Sequence, residues 1–178
     1  MKQVFIFLID GFEEIEAIAT IDILRRADIN IQSVSLTGNN LVVGAHKVGI
    51  TCDLLFEEAA YLQAQLLIIP GGTVKFNEHE ALKKELLAFY ATGKTIAAIC
   101  AAPAVLGGLG LLKGKNATCY PGFESYLEGA NFQDQAVVVD GNIITAKGPG
   151  LTMDFALKIV EVLEGKAKSK AVAADLLL

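Results

Sequence analysis

Three unbroken apolar runs constrain the fold of this chain more than any other feature. They are VFIFLI near the start, LLII at 66–69 and TIAAI at 95–99. None of them alternates apolar with polar residues, so both faces of each strand are expected to be covered. With 53% hydrophobic residues in 178, the chain has enough apolar side chains for such a core.

Helical patterns separate these strands. Asp10 is predicted to cap the first helix, with Glu13 completing a capping-box-like pair. Gly93 is expected to stop the second helix, and Asp140 and Gly141 predict a late hairpin. Strands that alternate with helices indicate an α/β sandwich with a mostly parallel central sheet, formed by a single domain over residues 1–178. The apolar stripe of the first helix is predicted to contain Ile15, Ile18, Ala19, Ile21 and Leu24.

Composition excludes several classes of partner. A net charge of −5 argues against a nucleic-acid or anionic-membrane surface. No apolar stretch approaches the roughly 18 residues of a membrane span, and the first run is too short for a signal peptide. Three cysteines without C-x-x-C spacing favour free thiols in a reducing compartment, the cytoplasm. The two histidines, His46 and His79, have no metal-ligand spacing, so no metal is expected. A Walker motif and a dinucleotide fingerprint are both missing from the sequence, so no cofactor is expected.

Three loops should meet where the parallel strands end, because binding sites form beyond the carboxyl ends of such strands. These loops cover residues 10–16, 70–73 and 100–102. The strand-to-helix turn at Cys100 is similar to a nucleophile elbow. If the next helix begins near Ala101, its N-terminus should favour a thiolate. A small buried hydrophobic role for Cys100 is the alternative.

Backbone and carboxyl groups could complete a site around Cys100. The amides of Ala101 and Gly72 are candidates for an oxyanion hole, and glycine at 71 and 72 lets the backbone approach a ligand. Glu16 lies about one turn beyond Glu13. Burial would raise the pKa of Glu16, and the protonated carboxyl could donate to the sulfur of Cys100. A solvated glutamate is the alternative.

Two further segments remain open to more than one interpretation. Pro149 lies in a Gly-Pro-Gly segment that either binds an anion or forms a plain turn. Tyr120, after Cys119, either borders the pocket or only ends a strand. The sequence assigns no role to Cys52 or Cys119.

Five segments taken together resemble the ThiJ/PfpI superfamily. They are similar to the branch that contains the parkinsonism-associated deglycases, and the resemblance extends from Val4 to about Gly165. Each segment alone is weak, but five in order at matching spacing are specific. The segments are DGFEEIEAIATIDILRRA, IIPGG, AAICAAPAVL, TCYPG and AKGPGLTMDFALKIVEVLEG.

The resemblance implies a flavodoxin-like three-layer sandwich that forms a homodimer. By matching motifs, it implies that Cys100 is the reactive cysteine and Glu16 the protonated glutamate. It also implies that Gly72 contributes to the oxyanion hole, beside the amide of Ala101. Arg26 matches an arginine that the dimer presents to the neighbouring pocket.

Two departures from the family pattern bear on activity. Tyr120 stands where many relatives carry a histidine, and tyrosine is the poorer base near neutrality. Ala101 follows Cys100 where the protease-like branch has a histidine, so a peptidase or amidotransferase-type hydrolase lacks its usual base.

Two function classes follow from these residues. The first is a cofactor-independent glyoxalase or deglycase that acts on small carbonyl compounds such as methylglyoxal through Cys100 and Glu16. The second is a redox sensor or protective chaperone in oxidative stress, because an activated thiol oxidises readily.

Overall fold

A computed structural model describes residues 2–178 of the chain. Strands and helices alternate along most of it, as the apolar runs predict. The strands are β1 (Gln3–Leu8), β2 (Asn30–Ser35), β3 (Leu41–Val43), β4 (Gly49–Thr51), β5 (Leu54–Leu55), β6 (Leu66–Ile69), β7 (Thr95–Ile99), β8 (Asn116–Ala117), β9 (Asn131–Phe132), β10 (Val137–Asp140) and β11 (Ile143–Ala146). The helices are α1 (Glu14–Arg26), α2 (Glu80–Tyr90), α3 (Pro103–Gly108), α4 (Thr152–Glu164) and α5 (Lys166–Asp175).

Seven strands form the central sheet in the order β10-β11-β7-β6-β1-β2-β5. Every neighbouring pair is parallel except β10 and β11, which form the predicted hairpin. β6 and β1 lie at the centre, and all four residues of β6 are buried. The predicted α/β sandwich with a mostly parallel sheet is therefore confirmed, and it places the carboxyl ends of β1, β6 and β7 side by side.

Helices cover both faces of the sheet. α1 and α4 pack against each other on one face. The connection β1-α1-β2 runs one way across the sheet and β6-α2-β7 runs the other way. Right-handed crossovers therefore place α2 on the opposite face, which gives three layers.

Two predictions about α1 are wrong. Ile15 and Ile18 are 54% and 40% exposed, while Glu16, Ala17 and Thr20 face inward. The N-cap is Glu13, whose side chain accepts the N–H of Glu16, rather than Asp10. Asp10 is engaged elsewhere, because its carboxylate accepts the N–H of Val43 at 2.9 Å. The loop after β1 is thus held by a distant hairpin, which short-range sequence patterns cannot reveal.

That hairpin consists of β3 and β4, which pair antiparallel. It stands outside the central sheet, and β8 and β9 form another separate pair. None of the helices within residues 2–178 combines the length and apolar character that crossing a membrane requires.

Candidate active site

The three predicted loops meet at the carboxyl edge of the sheet. The N–H of Gly71 donates to Oε2 of Glu16 at 2.7 Å, which joins the loop after β6 to α1. The N–H of Glu13 donates to the carbonyl of Gly71 at 3.0 Å. Cys100, directly after β7, lies against both Gly71 and Glu16. The convergence follows from the sheet order, since β1, β6 and β7 are consecutive neighbours.

Cys100 adopts a left-handed backbone conformation with φ of +66°. Such a conformation costs a non-glycine residue roughly 1–3 kcal/mol and is found at functional sites. Backbone hydrogen bonds hold it in place: the N–H of Cys100 donates to Ala146 at 2.9 Å, and its carbonyl accepts from Tyr120 at 2.8 Å. Cys100 retains 8% exposure, whereas Cys52 retains 3% and Cys119 none. The turn therefore has the strained geometry of a nucleophile elbow.

Glu16 is completely buried in the first turn of α1. One carboxyl oxygen, Oε2, accepts the N–H of Gly71, and the carboxyl interacts with the thiol of Cys100. The other oxygen, Oε1, has no hydrogen-bond partner among the residues described. A buried carboxyl oxygen without a partner is costly when ionised, so this oxygen is suited to carry a proton. The solvated alternative for Glu16 is excluded.

Gly71 allows this close approach. A β-carbon at position 71 would lie 2.6 Å from Cβ of Cys100, 3.0 Å from its Sγ and 2.9 Å from Oε2 of Glu16. Any larger residue would therefore force the thiol and the carboxyl apart. Both atoms lie within about one contact distance of the same point, which gives the site its compactness.

Two backbone N–H groups are directed at the sulfur of Cys100, those of Ala101 and Gly72. Gly72 has φ of +93°, a conformation that L side chains rarely adopt. A β-carbon there would also lie 2.3 Å from the backbone nitrogen of Glu13. These are the two amides that the sequence predicts for an oxyanion hole, and both lie close to the sulfur.

The thiol and carboxyl titrate as a pair. Burial raises the pKa of Glu16 to about 7, although the Gly71 N–H and the Cys100 thiol stabilise its carboxylate. Burial, followed by the charge of Glu16 and its hydrogen bonding, raises the pKa of Cys100 to about 12, despite the amides of Ala101 and Gly72. The pKa of Glu16 moves in the predicted direction, whereas burial and the charge of Glu16 oppose the thiolate predicted at Cys100. Because each group shifts the pKa of the other, the two protons belong to the pair rather than to either residue alone.

The helix after Cys100 is short, which limits how far it can stabilise a thiolate. α3 begins at Pro103 rather than near Ala101 and contains six residues. A helix this short has a small dipole. The amides of Ala101 and Gly72 stabilise negative charge at the sulfur.

Tyr120 hydrogen-bonds to the carbonyl of Cys100, and its ring packs beside the segment that contains Pro149. Tyr120 is 45% exposed, and its ring packs on Gly148, where a β-carbon would lie 3.0 Å from Cδ2. Its contact with Cys100 is through the backbone N–H. Pro149 begins a short 3₁₀ turn, and its carbonyl accepts the hydroxyl of Thr152 at 2.8 Å. The segment around Pro149 is thus folded as a turn.

Arg26 lies in the last turn of α1, where its Nε donates to Asp22 at 2.8 Å. It is ten residues from Glu16, which corresponds to about 15 Å along the helix. Arg26 is therefore remote from the pocket of its own chain. A role in the pocket of a partner subunit stays a prediction.

Neither histidine contacts Cys100. Nδ1 of His79 accepts the N–H of Leu82 and caps α2. His46 contacts Glu14 through Nδ1, at 2.9 Å from Oε2. Both histidines thus have structural partners, so the structure gives a Cys-His peptidase mechanism no base.

Glu13, Glu14 and His46 are the residues that come nearest to a metal-binding set. One ligand atom of each lies within 4.8 Å of the others. However, Glu13 accepts the N–H of Glu16, and Glu14 accepts the N–H groups of His46 and Val48. Their geometry is explained by capping and by anchoring the β3–β4 hairpin.

Glu13 was predicted to pair with a cap at Asp10, and the contact of Glu14 with the β3–β4 hairpin was not predicted. The signal for Glu13 was its spacing of three from Glu16, which is the spacing of a capping pair. The partners of Glu14 lie across a hairpin about thirty residues away in the chain, so no local pattern could indicate them.

Comparison with known proteins gives concordant matches. A sequence profile described as the DJ-1/PfpI family matches residues 2–162. Protein dj-1beta of Drosophila melanogaster is 38% identical over 99% of this chain and 97% of its own length. Protein DJ-1 homolog B of Arabidopsis thaliana is 42% identical over 93% of this chain, which spans only 39% of that relative. A protein named as a deglycase from Pyrococcus abyssi is 31% identical over 91% of this chain and 99% of its own length.

Solved structures agree with the sequence matches. The crystal structure of Drosophila melanogaster DJ-1beta superposes with a TM-score of 0.93 and covers 99% of this chain and 98% of that one, at 38% identity. A structure of Toxoplasma gondii DJ-1, described as oxidized, gives a TM-score of 0.92 at 35% identity, with 99% and 98% coverage. These neighbours confirm the flavodoxin-like fold.

Proposed function

This chain belongs to the DJ-1/PfpI family, and from that premise we propose that it is a cysteine-dependent, cofactor-independent enzyme of the glyoxalase or deglycase type. The observation that carries the proposal is the buried pair of Cys100 and Glu16, with the amides of Gly72 and Ala101 directed at the sulfur. A named deglycase among the relatives supports this reaction class. The substrate class is a small α-oxoaldehyde such as methylglyoxal.

The first step uses the pair as found. The Cys100 sulfur adds to the aldehyde carbon while its proton passes to the Glu16 carboxylate. The product is a hemithioacetal whose oxygen, formerly the carbonyl oxygen, is held by the amides of Gly72 and Ala101. A sulfur that loses its proton during attack does not need to be ionised beforehand. The raised pKa of Cys100 is therefore compatible with catalysis when Glu16 is the base.

The second step moves hydrogen between adjacent carbons. Glu16, after passing its first proton to the oxyanion, removes the proton of the former aldehyde carbon and returns a proton to the neighbouring carbon, while the hydroxyl proton of the hemithioacetal is transferred to the ketone oxygen. The former aldehyde carbon is oxidised to a thioester, and its neighbour is reduced to an alcohol. Water then cleaves the thioester, which releases lactate and restores the thiol. Methylglyoxal plus one water gives lactate, so no external oxidant or reductant is required.

The test is lactate formation from methylglyoxal without glutathione. We expect Cys100→Ser and Glu16→Gln each to reduce kcat/KM by at least about 100-fold, the range for loss of a nucleophile or general base. Cys52→Ser is the matched control, because its buried thiol lies outside the site. Equal rates for the wild type and Cys100→Ser would reject the proposal.

Redox sensing by the same cysteine is the second candidate function. Cys100 is the most exposed of the three cysteines, and a structural neighbour is described as oxidized. Oxidation of its sulfur to a sulfenic or sulfinic acid would place oxygens beside Glu16 and the two amides. Intact mass after mild peroxide, followed by peptide mapping, tests this. Oxygen added equally to Cys52 and Cys119 would contradict it. A chaperone role stays a prediction.

The chain is further proposed to act as a homodimer in the cytoplasm. Exposed Ile15 and Ile18 on α1 lie at the end of the helix to which the β3–β4 hairpin is anchored, and that hairpin exposes Leu41, Val43 and Val48. Exposed apolar side chains grouped in this way are typical of an interface. All three cysteines are free thiols, which supports a reducing compartment.

A further inference from the structure

A groove of about 380 Å³ lies beside the candidate active site. Ala101, whose N–H is directed at the sulfur of Cys100, lines this groove. Thr73, the residue after Gly72, lines it as well. Both loops that supply amide donors to the sulfur therefore contribute to the wall of the groove. Its volume is in the range of small-molecule sites, about 300–1,000 Å³.

The lining of the groove is apolar and uncharged. Val74, Ala104, Val105 and Phe123 supply its apolar surface, and the ring of Phe123 lies 5.7 Å from that of Tyr126. The polar lining groups are neutral hydroxyls and an amide. None of the nine lining residues, all within the described part of the chain, is Asp, Glu, Lys or Arg. A cationic substituent would therefore find no counter-ion there, whereas a neutral aromatic group would contact apolar carbon and ring faces.

We propose that this groove binds the substituent on the ketone side of the substrate, and that it selects α-oxoaldehydes with a neutral apolar or aromatic substituent over methylglyoxal. The inference rests on the proposed function. The reactive aldehyde carbon is placed at Cys100, and the substituent two bonds away extends past Ala101 into the groove. Methylglyoxal carries only a methyl group at that position and leaves most of the groove unused.

The size of the effect follows from apolar binding. One additional methylene in a hydrophobic pocket changes kcat/KM by about 10- to 200-fold. A phenyl group is larger than a methylene, but the groove is open to solvent on one side. We therefore expect phenylglyoxal to exceed methylglyoxal in kcat/KM by at least about tenfold.

The first experiment compares the kcat/KM ratio of phenylglyoxal to methylglyoxal in the wild type and three variants, with mandelate and lactate as the products measured. Ala104→Phe fills the groove from α3 and should lower the ratio by at least about tenfold. Ala81→Phe adds the same ring at an exposed position of α2 and should leave the ratio unchanged. Phe123→Ser, which removes apolar surface instead of adding it, should also lower the ratio and serves if Ala104→Phe does not fold.

The second experiment does not depend on turnover. N-phenylmaleimide and N-methylmaleimide present the same electrophile to Cys100 with different substituents. We expect the ratio of their alkylation rates at Cys100 to fall at least about tenfold in Ala104→Phe. If neither ratio changes in the groove variants, the inference is overturned. If the maleimide ratio changes but neither oxoaldehyde is converted by the wild type, the proposed function fails and the groove remains a binding site for apolar groups.

Discussion

At the scale of single residues, the pKa of Glu16 sets the pH dependence of the proposed reaction. Burial raises this pKa to about 7, and the carboxylate form is the base that accepts the proton of Cys100. We therefore expect kcat/KM for methylglyoxal to rise with pH, with an inflection near pH 7 that Glu16→Gln removes. Glu80→Gln, on the exposed surface of α2, is the control that should keep the inflection. An inflection that survives in Glu16→Gln would assign the titration to another group.

The same carboxyl lowers the stability of the fold at high pH. Its pKa is 4.5 when unperturbed and about 7 in the folded chain, so the folded state binds the proton more tightly. The resulting stability is fully present below pH 4.5 and is lost as pH rises through 7, by about 3 kcal/mol in all. Glu16→Gln removes this dependence.

Urea unfolding of wild type and Glu16→Gln at pH 4.5 and pH 8.5 measures the effect. The variant should gain up to about 3 kcal/mol relative to wild type between the two pH values. Parallel stability curves for the two proteins would contradict the buried, titrating state of Glu16. Activity and stability therefore oppose each other at this residue, because the ionised form that serves as base is also the form that burial penalises.

At the scale of secondary-structure elements, Glu14 joins α1 to the β3–β4 hairpin. Its carboxylate accepts the N–H of His46 at 2.6 Å and that of Val48 at 3.5 Å, and it contacts the His46 ring. Burial alone would raise the pKa of Glu14, but these hydrogen bonds lower it overall. The stabilisation is therefore present at neutral pH and is lost as pH falls through the lowered pKa.

Removing this carboxylate should loosen the hairpin more than the sheet. We expect Glu14→Ala to cost about 1–3 kcal/mol, because two backbone N–H groups lose their acceptor. Hydrogen exchange should accelerate at His46 and Val48, while β6 and β7 keep their protection. Glu57→Ala, which removes a glutamate outside this contact, is the control. Uniform acceleration through the central sheet would show global rather than local destabilisation.

The strands and helices also show which structural features can be predicted from sequence patterns. Strands with both faces buried are continuous apolar runs, so β1, β6 and β7 could be predicted directly. The buried face of α1 could not, because its largest apolar residues, Ile15 and Ile18, lie on the exposed side. The helical period shows on which faces of a helix the apolar side chains lie. When both faces carry apolar residues, it does not indicate which face packs against the sheet.

At the scale of the whole molecule, the position of the site follows from topology, but its chemistry does not. Parallel strands bring their following loops to one edge, so the meeting of Glu16, Gly72 and Cys100 was predictable. The raised pKa of Cys100 was not predictable, because it depends on burial and on the distance between the thiol and the carboxyl. Those quantities arise only when segments far apart in the chain are packed together.

The exposed face of α1 leads to the last prediction, which concerns assembly. Placing a charge at Ile18 should prevent the proposed homodimer. Burying a carboxylate without a partner in the interface reduces the free energy of association by several kcal/mol. We expect Ile18→Glu to sediment as a monomer at concentrations where wild type is a dimer. Leu87→Glu, a comparable exposed leucine on α2 on the opposite face, should remain dimeric.

Comparison of Arg26→Ala with Ile18→Glu tests whether Arg26 contributes to the pocket of a partner subunit. Arg26 is remote from its own site, and within residues 2–178 it pairs only with Asp22, so any effect on catalysis has to cross an interface. If it does, Arg26→Ala should lower kcat/KM while leaving the dimer intact, and Ile18→Glu should show the same loss without touching Arg26. A monomeric Ile18→Glu with undiminished kcat/KM would mean that each chain holds a complete site, and that dimerisation contributes only stability.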